Sequence, residues 1–124
     1  MNIKRNLILW NWEIRYITNT KNKKFVRGKI LNLNMINQYD NKNYNKFAIS
    51  ISSKFHKKAV YRNIIRRIFF DIIYHNNYIQ KKIKWWYKKV YVSLKKWVEY
   101  DVKSKNFKQN VRIDLEYDLK RMFS

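Results

Sequence analysis

The stretch that decides the fold is FAISISSKFHKKAVYRNIIRRIFFDIIY, Phe47 to Tyr74. Its start alternates, with Phe47, Ile49 and Ile51 on one face and Ala48, Ser50 and Ser52 on the other. That is the period of a half-buried strand with one small, polar side. A basic turn, Ser53-Lys54-Phe55-His56-Lys57-Lys58, follows. Beyond it Val60, Ile64 and Ile68 recur at i+4 with Tyr61, Ile65 and Ile72 beside them, which predicts a helix with an apolar stripe. At about 100° per residue, Lys58, Arg62 and Arg66 form one row and Asn63 and Arg67 the next, all away from the stripe. One face is core and the other is a cationic ridge.

Such a ridge is ordinarily a solvated face with acids interspersed. Here no Asp or Glu stands between Phe47 and Phe70 to balance Lys54, Lys57, Lys58, Arg62, Arg66 and Arg67. Like charges at i, i+4 destabilise a helix by roughly 0.2–0.5 kcal/mol per pair. The pattern therefore calls for something anionic.

The whole chain points the same way. Its 124 residues suit a single domain, expected to run over residues 1–124, and its formal net charge of +21 exceeds what solubility requires. Nucleic acid or an anionic membrane surface is the natural partner of such a charge. The aromatic share of 18% sets the chain apart from basic disordered tails and lets it bury a core. With no cysteine, disulfides and thiolate metal sites are excluded. The run Leu7-Ile8-Leu9-Trp10 is too brief for a signal segment, and no window approaches the roughly 18 apolar residues of a membrane span. The expected location is the cytoplasm, with no membrane partner and no small-molecule substrate.

Taken in order, Asn6 to Ile17 predicts a helix with Leu7, Trp10, Ile14 and Ile17 on its apolar face and Trp12 and Tyr16 flanking it. Thr18 to Arg27 reads as a basic loop or strand entry. Lys29 to Ile36 alternates as a strand with one wet face, and the turn formers of Asn37 to Asn45 predict a hairpin pairing it antiparallel with the Phe47 strand. Val90 to Leu94 is β-favouring, so strand, helix and strand imply a crossover to a parallel neighbour. Trp85, Trp86 and Tyr87 fit either core or a basic-aromatic surface patch. Val111 to Phe123 predicts a last helix, with Asp114, Glu116 and Asp118 as charges toward its start and Lys120 and Arg121 in its last turn.

The run Ala59-Val60-Tyr61-Arg62-Asn63-Ile64-Ile65-Arg66-Arg67, entered from Ser-Ile-Ser-Ser-Lys, resembles the signature of the bacterial ribonuclease P protein subunit. Arg62, Asn63, Ile65, Arg66 and Arg67 match that signature. Ile64 and Phe70 depart from it, standing where the family usually has Arg. The tail, with Leu115, Leu119 and Phe123, is similar to the family's last helix. The resemblance implies an α/β (α+β) sandwich of about four mixed strands and three helices, in the order αβββαβα, with a left-handed βαβ crossover. General topology would have favoured the right-handed one.

The chain's own residues offer no obvious catalyst. His56 and His75 flank the signature helix, roughly 25–30 Å apart at 1.5 Å rise per residue, and no paired carboxylates or phosphate-binding glycine loop is present. The resemblance implies that catalysis belongs to a ribonuclease P RNA with bound Mg²⁺, which removes the 5′ leader of precursor tRNA. It assigns RNA contacts to Lys54, His56, Lys57, Lys58, Arg62, Asn63, Arg66 and Arg67, and a leader cleft to Trp12, Tyr16, Ala48, Ser50 and Ser52. A general or ribosomal RNA-binding protein would account for the charge and aromatics equally well. A membrane-surface or DNA-compacting peptide accounts for the charge alone.

Overall fold

The computed structural model describes residues 7–39 and 42–123. Helix α1 spans Asn11–Asn19. Strands β1 (Lys24–Arg27), β2 (Leu31–Asn37) and β3 (Lys46–Ser50) follow, then helix α2 (Ala59–His75), a short 3₁₀ turn (Tyr78–Gln80), strand β4 (Lys88–Leu94) and helix α3 (Phe107–Phe123). The expected order αβββαβα, with three helices and a four-stranded mixed sheet, is the order found.

Across the sheet the strands run β1-β2-β4-β3. β4 pairs antiparallel with β2 and parallel with β3. The expected β2–β3 hairpin is therefore overturned, because β4 lies between the two strands. Val90 and Val92 are fully buried, and a strand so apolar gains most where both of its edges are paired. The expected parallel crossover is present, running from β3 through α2 to β4.

One face of the sheet carries Leu31, Leu33, Met35, Phe47, Val90, Val92 and Leu94, and packs under α2 and α3 as the main core. The Phe47 ring lies 6.2 Å from that of Phe69 on α2 and 5.8 Å from that of Phe123 on α3. Burying each such side chain stabilises the fold by roughly 1.5–3 kcal/mol. On α2 the buried residues are Ile65, Ile68, Phe69, Ile72 and Ile73. Val60, expected in the stripe, lies in the first turn of the helix and is 56% exposed.

The first helix begins later than its periodicity predicts; Asn6 lies outside the described residues. Ile8 instead forms a parallel bridge with Phe47. The Phe47 N–H donates to Leu7 O at 2.7 Å and the Leu9 N–H to Phe47 O at 3.0 Å, which closes the outer edge of β3. Leu7 and Leu9 are buried by this pairing, and Trp10 is left exposed. α1 crosses the other face of the sheet, where Leu9, Ile17 and Ala48 form a second cluster with Ile14, Ile36 and Tyr91.

Two buried acids fasten these layers. Glu13, only 2% exposed, accepts the Trp10 N–H at 2.9 Å and pairs with Lys46 of β3 at 3.5 Å and Lys89 of β4 at 2.8 Å. It thereby ties α1 to the two parallel strands. Asp118 of α3 is fully buried and accepts the backbone N–H groups of Lys29, Ile30 and Leu31 at 2.8, 2.8 and 3.0 Å. It pins the β1–β2 turn to the last helix. The chain's single glycine, Gly28, sits in that turn, where a Cβ would lie 2.9 Å from the Asp118 carboxylate and clash with Met122. Because α3 starts at Phe107, Asp114, Glu116 and Asp118 fall in its middle turns, and their expected role as charges at the helix start is corrected.

Asn45 is a third fastener. Its amide donates to Tyr78 O at 2.7 Å and Lys81 O at 2.6 Å, and its carbonyl accepts the Lys88 N–H at 2.6 Å.

Replacing Asp118 with Ala should leave three backbone donors without an acceptor and destabilise the fold by roughly 3–5 kcal/mol, read as a drop in urea midpoint; a loss under about 1 kcal/mol would contradict this role. For Glu13, burial alone would raise the pKa of the carboxyl. The Lys89 hydrogen bond, the Trp10 N–H and the two ammonium charges outweigh burial and hold it below its ordinary 4.5. A pKa lowered by folding stabilises above the unfolded value, and that stability is lost as pH falls through the folded one. Glu13→Gln should accordingly be less stable than wild type by roughly 3 kcal/mol at neutral pH. Urea titrations at falling pH should show the gap closing only below the ordinary carboxyl value.

Candidate nucleic-acid interface

The basic turn before α2 is held from the helix itself. The Ser52 hydroxyl accepts the Lys54 N–H at 3.1 Å, and His56 Nδ1 accepts the Lys58 N–H at 3.0 Å while its ring packs on Tyr61 at 4.5 Å. Arg62 reaches back one turn and donates to His56 O and, at 3.0 Å, to Lys57 O. Arg62 is thus a staple as well as a charge. Lys54, Lys57 and Lys58 stay exposed on the turn that it fixes.

Further along, Arg66 donates to Asn63 Oδ1 at 2.7 Å, so the two side chains hold each other on the outer side of α2. Arg67 is exposed beside them. The first acid past the ridge, Asp71, is engaged by Arg112 of α3 at 2.8 Å and by His75 at 3.2 Å. The ridge keeps its charge. Ile64 is half-buried against the core, and Phe70 packs edge-on to Phe69 at 5.2 Å, so both positions where Arg is missing serve apolar packing. His56 and His75 sit before and at the end of α2, each engaged locally, and the structure does not bring them together.

The residues assigned to a leader cleft divide into four places. Trp12 and Tyr16, both exposed, line a concavity of about 360 Å³ together with Glu13, Lys24, Asn37, Tyr39, Lys88 and Lys89. The Lys89 ammonium lies 5.4 Å above the Trp12 ring, within cation–π range. Ala48 is buried beneath α1 against Leu9 and Ile17 and does not face this space. Ser50 pairs with Ser93, four residues along β4 from Lys89, about 13 Å away at 3.3 Å per residue. It belongs to a polar row, Arg27, Asn32, Ser93 and Ser50, across the same face of the sheet. Ser52 lies past the end of β3, where it closes the basic turn.

Sequence reasoning missed Lys24, Tyr39, Lys88 and Lys89. Nothing in their local pattern marks them. They converge only because β4 lies beside β2 and α1 crosses both. Among the described residues no helix is long and apolar enough to cross a membrane.

Comparison with known proteins supplies the rest. No curated protein sequence matches this chain. Two solved structures resemble it over nearly their whole length. The ribonuclease P protein of Staphylococcus aureus superposes with a TM-score of 0.66 at 18% identity, covering 95% of this chain and 98% of that one. The ribonuclease P protein of Thermotoga maritima gives a TM-score of 0.60 at 20% identity, covering 88% and 90%. At these identities the structures establish the fold. The family described as Ribonuclease P matches residues 3–116, and the chain therefore belongs to the ribonuclease P protein family, whose place is that of a subunit in tRNA processing.

Proposed function

We propose that this chain binds the catalytic RNA of ribonuclease P through the basic turn and the α2 ridge. It holds the 5′ leader of precursor tRNA against the concavity beside α1, so that the RNA removes the leader. The observation that carries this reading is the ridge itself. Lys54, Lys57, Lys58, Arg62, Asn63, Arg66 and Arg67 stand together on a turn and helix that Arg62 ties into one unit, and the nearest acid is already paired with α3. Such a surface gains by neutralising phosphates and releasing their counterions. Arg62 and His56 contribute through the shape of the turn as well as through contact.

The leader is single-stranded and varies in sequence, so it is best held by stacking and charge. Trp12 and Tyr16 offer rings, and Lys24, Lys88 and Lys89 offer charge within the same concavity. Stacking on such rings stabilises by about 1–3 kcal/mol per base whatever the base. Ser50 and the polar row beside it leave room for a backbone to approach the sheet. Mg²⁺ is assigned to the RNA partner, with the chemistry, as the family reading implies. The place of action is the cytoplasm, where precursor tRNA is made.

Cleavage of a precursor tRNA by ribonuclease P RNA at low Mg²⁺ tests the ridge. Wild-type protein should stimulate it, and Arg66→Ala/Arg67→Ala should lose most of the stimulation, with the salt slope of RNA binding reduced by about 2. Arg62 is left intact so that the turn stays folded. Stimulation undiminished in the double variant would remove the ridge from the interface, and none by wild type despite tight binding to other RNAs would leave a general RNA-binding protein. Trp12→Ala should weaken binding of precursor tRNA about 5-fold or more while leaving mature tRNA unaffected. Equal losses for both would place Trp12 outside the leader path.

A further inference from the structure

Outside the ridge and the α1 concavity, the most unusual feature lies just before β4. Ile83 and Trp86 form a reciprocal bridge, each N–H donating to the other's carbonyl oxygen at 3.0 and 3.2 Å. The two residues between them, Lys84 and Trp85, both have positive φ, 50° and 78°. A two-residue turn of this kind ordinarily carries Asn and Gly, because other side chains crowd the backbone there. This turn places a lysine and a tryptophan at the tip instead, and the Trp85 ring is 89% exposed, so it contributes little to the core. A large ring held in water on a strained turn is a cost the fold itself does not require.

The surroundings indicate what such a ring would meet. Trp86 packs edge-on against Tyr39, itself exposed, with ring centroids 5.0 Å apart. Trp85, Trp86, Tyr39, Lys42 and Lys82 line a second concavity of about 320 Å³. Tyr39 also lines the first concavity, so the two meet there. The neighbouring Lys84 ammonium, then burial and the charge of Lys88, hold the Lys24 pKa below the ordinary lysine value. Among the described residues, no acid enters the lining of this second concavity. Flat rings alternating with crowded ammonium groups suit a polyanion whose monomers have π-faces. A protein partner would need acidic side chains to meet the same lysines.

We propose that Trp85, Trp86 and Tyr39, with Lys24, Lys42, Lys82 and Lys84, form a second stacking surface for single-stranded RNA, continuing the track that begins at Trp12 and Tyr16. This rests on the leader reading given above and deepens it: the strand held beside α1 passes over Tyr39 and onto the Lys84–Trp85 turn. The surface reads no sequence, and its contribution grows with the length of the strand.

The test uses the holoenzyme reconstituted with ribonuclease P RNA and two precursor tRNAs that differ only in leader length, one ending before Tyr39 and one reaching several nucleotides beyond. Trp85→Gly removes the ring and suits the positive φ, so the turn keeps its form. The expected result is about a 5-fold or greater loss of affinity for the long-leader substrate and no change for the short one. Lys82→Glu should act in the same direction. Equal affinity of wild type and Trp85→Gly for the long leader, with Trp12→Ala still weakening it, would overturn the second surface and leave the leader reading standing. Should neither substrate bind better than mature tRNA even with wild type, the leader reading itself falls. Dissociation of a wild-type dimer by Trp85→Gly in sedimentation, with unchanged RNA affinity, would make the patch a self-association surface and also overturn the proposal.

Discussion

The structure depends on β4 being paired along both edges. Seven register pairs join it antiparallel to β2, and five join it parallel to β3. Until β4 arrives, β2 and β3 have no common partner and the sheet is two fragments. The parallel half requires a crossover, and α2 supplies it, bringing its Ile65, Ile68, Phe69 and Ile72 face down on the strands it connects. The cationic ridge is the opposite side of the same helix. Its outward placement follows from the burial of the apolar side.

The few acids of this chain serve that frame. Glu13 ties α1 to Lys46 and Lys89, Asp71 joins α2 to Arg112 on α3, Asp114 accepts the Tyr100 hydroxyl at 2.6 Å, and Asp118 holds the turn at Gly28. Four of the eight Asp and Glu residues are thus committed between elements of the fold. An acid used this way cannot screen a ridge elsewhere. A strong positive surface and a well-fastened interior therefore come from one distribution of charge, in which these four carboxylates are spent inside or at seams while Lys54, Lys57, Lys58 and Arg67 face outward. Repulsion among the cations destabilises the free protein to some degree, and the proposed RNA partner would relieve it.

The Trp12 concavity and the Trp85 turn share a logic distinct from that of the ridge. The ridge offers charge on a helix of fixed spacing, suited to a structured RNA. The aromatic track offers rings on different elements, α1, the loop after β2 and the turn before β4, with lysines between them. Its geometry depends on three separate pieces of chain meeting at the end of the sheet where Asn37 pairs with Lys88.

Much of this protein was legible in its sequence because the determining signals are local. The alternation of Phe47 to Ile51, the i+4 spacing of Ile64 and Ile68, and the absence of acids around Arg62, Arg66 and Arg67 concern neighbours along one strand or helix, where backbone geometry alone decides which side chains share a face. The signature strand and helix, the last helix and the ridge followed, while the full order αβββαβα rested on the family resemblance, since Thr18 to Arg27 read only as a basic loop or strand entry. Partnering across the chain was decided only in the tertiary structure. The turn formers of Asn37 to Asn45 read equally well as a hairpin or as a loop reaching past an inserted strand, and the burial of β4 selected the second. Leu7 fits a helical period with Trp10, Ile14 and Ile17, and the open edge of β3 drew Leu7 and Leu9 into an edge pairing instead. Asp118 looked like a helix-start charge until Gly28 and three unpaired N–H groups came against it. Trp12 meets Lys89 and Tyr39 meets Trp86 for the same reason: which side chains converge across a sheet is fixed by strand order and register, and these are properties of the whole packed chain.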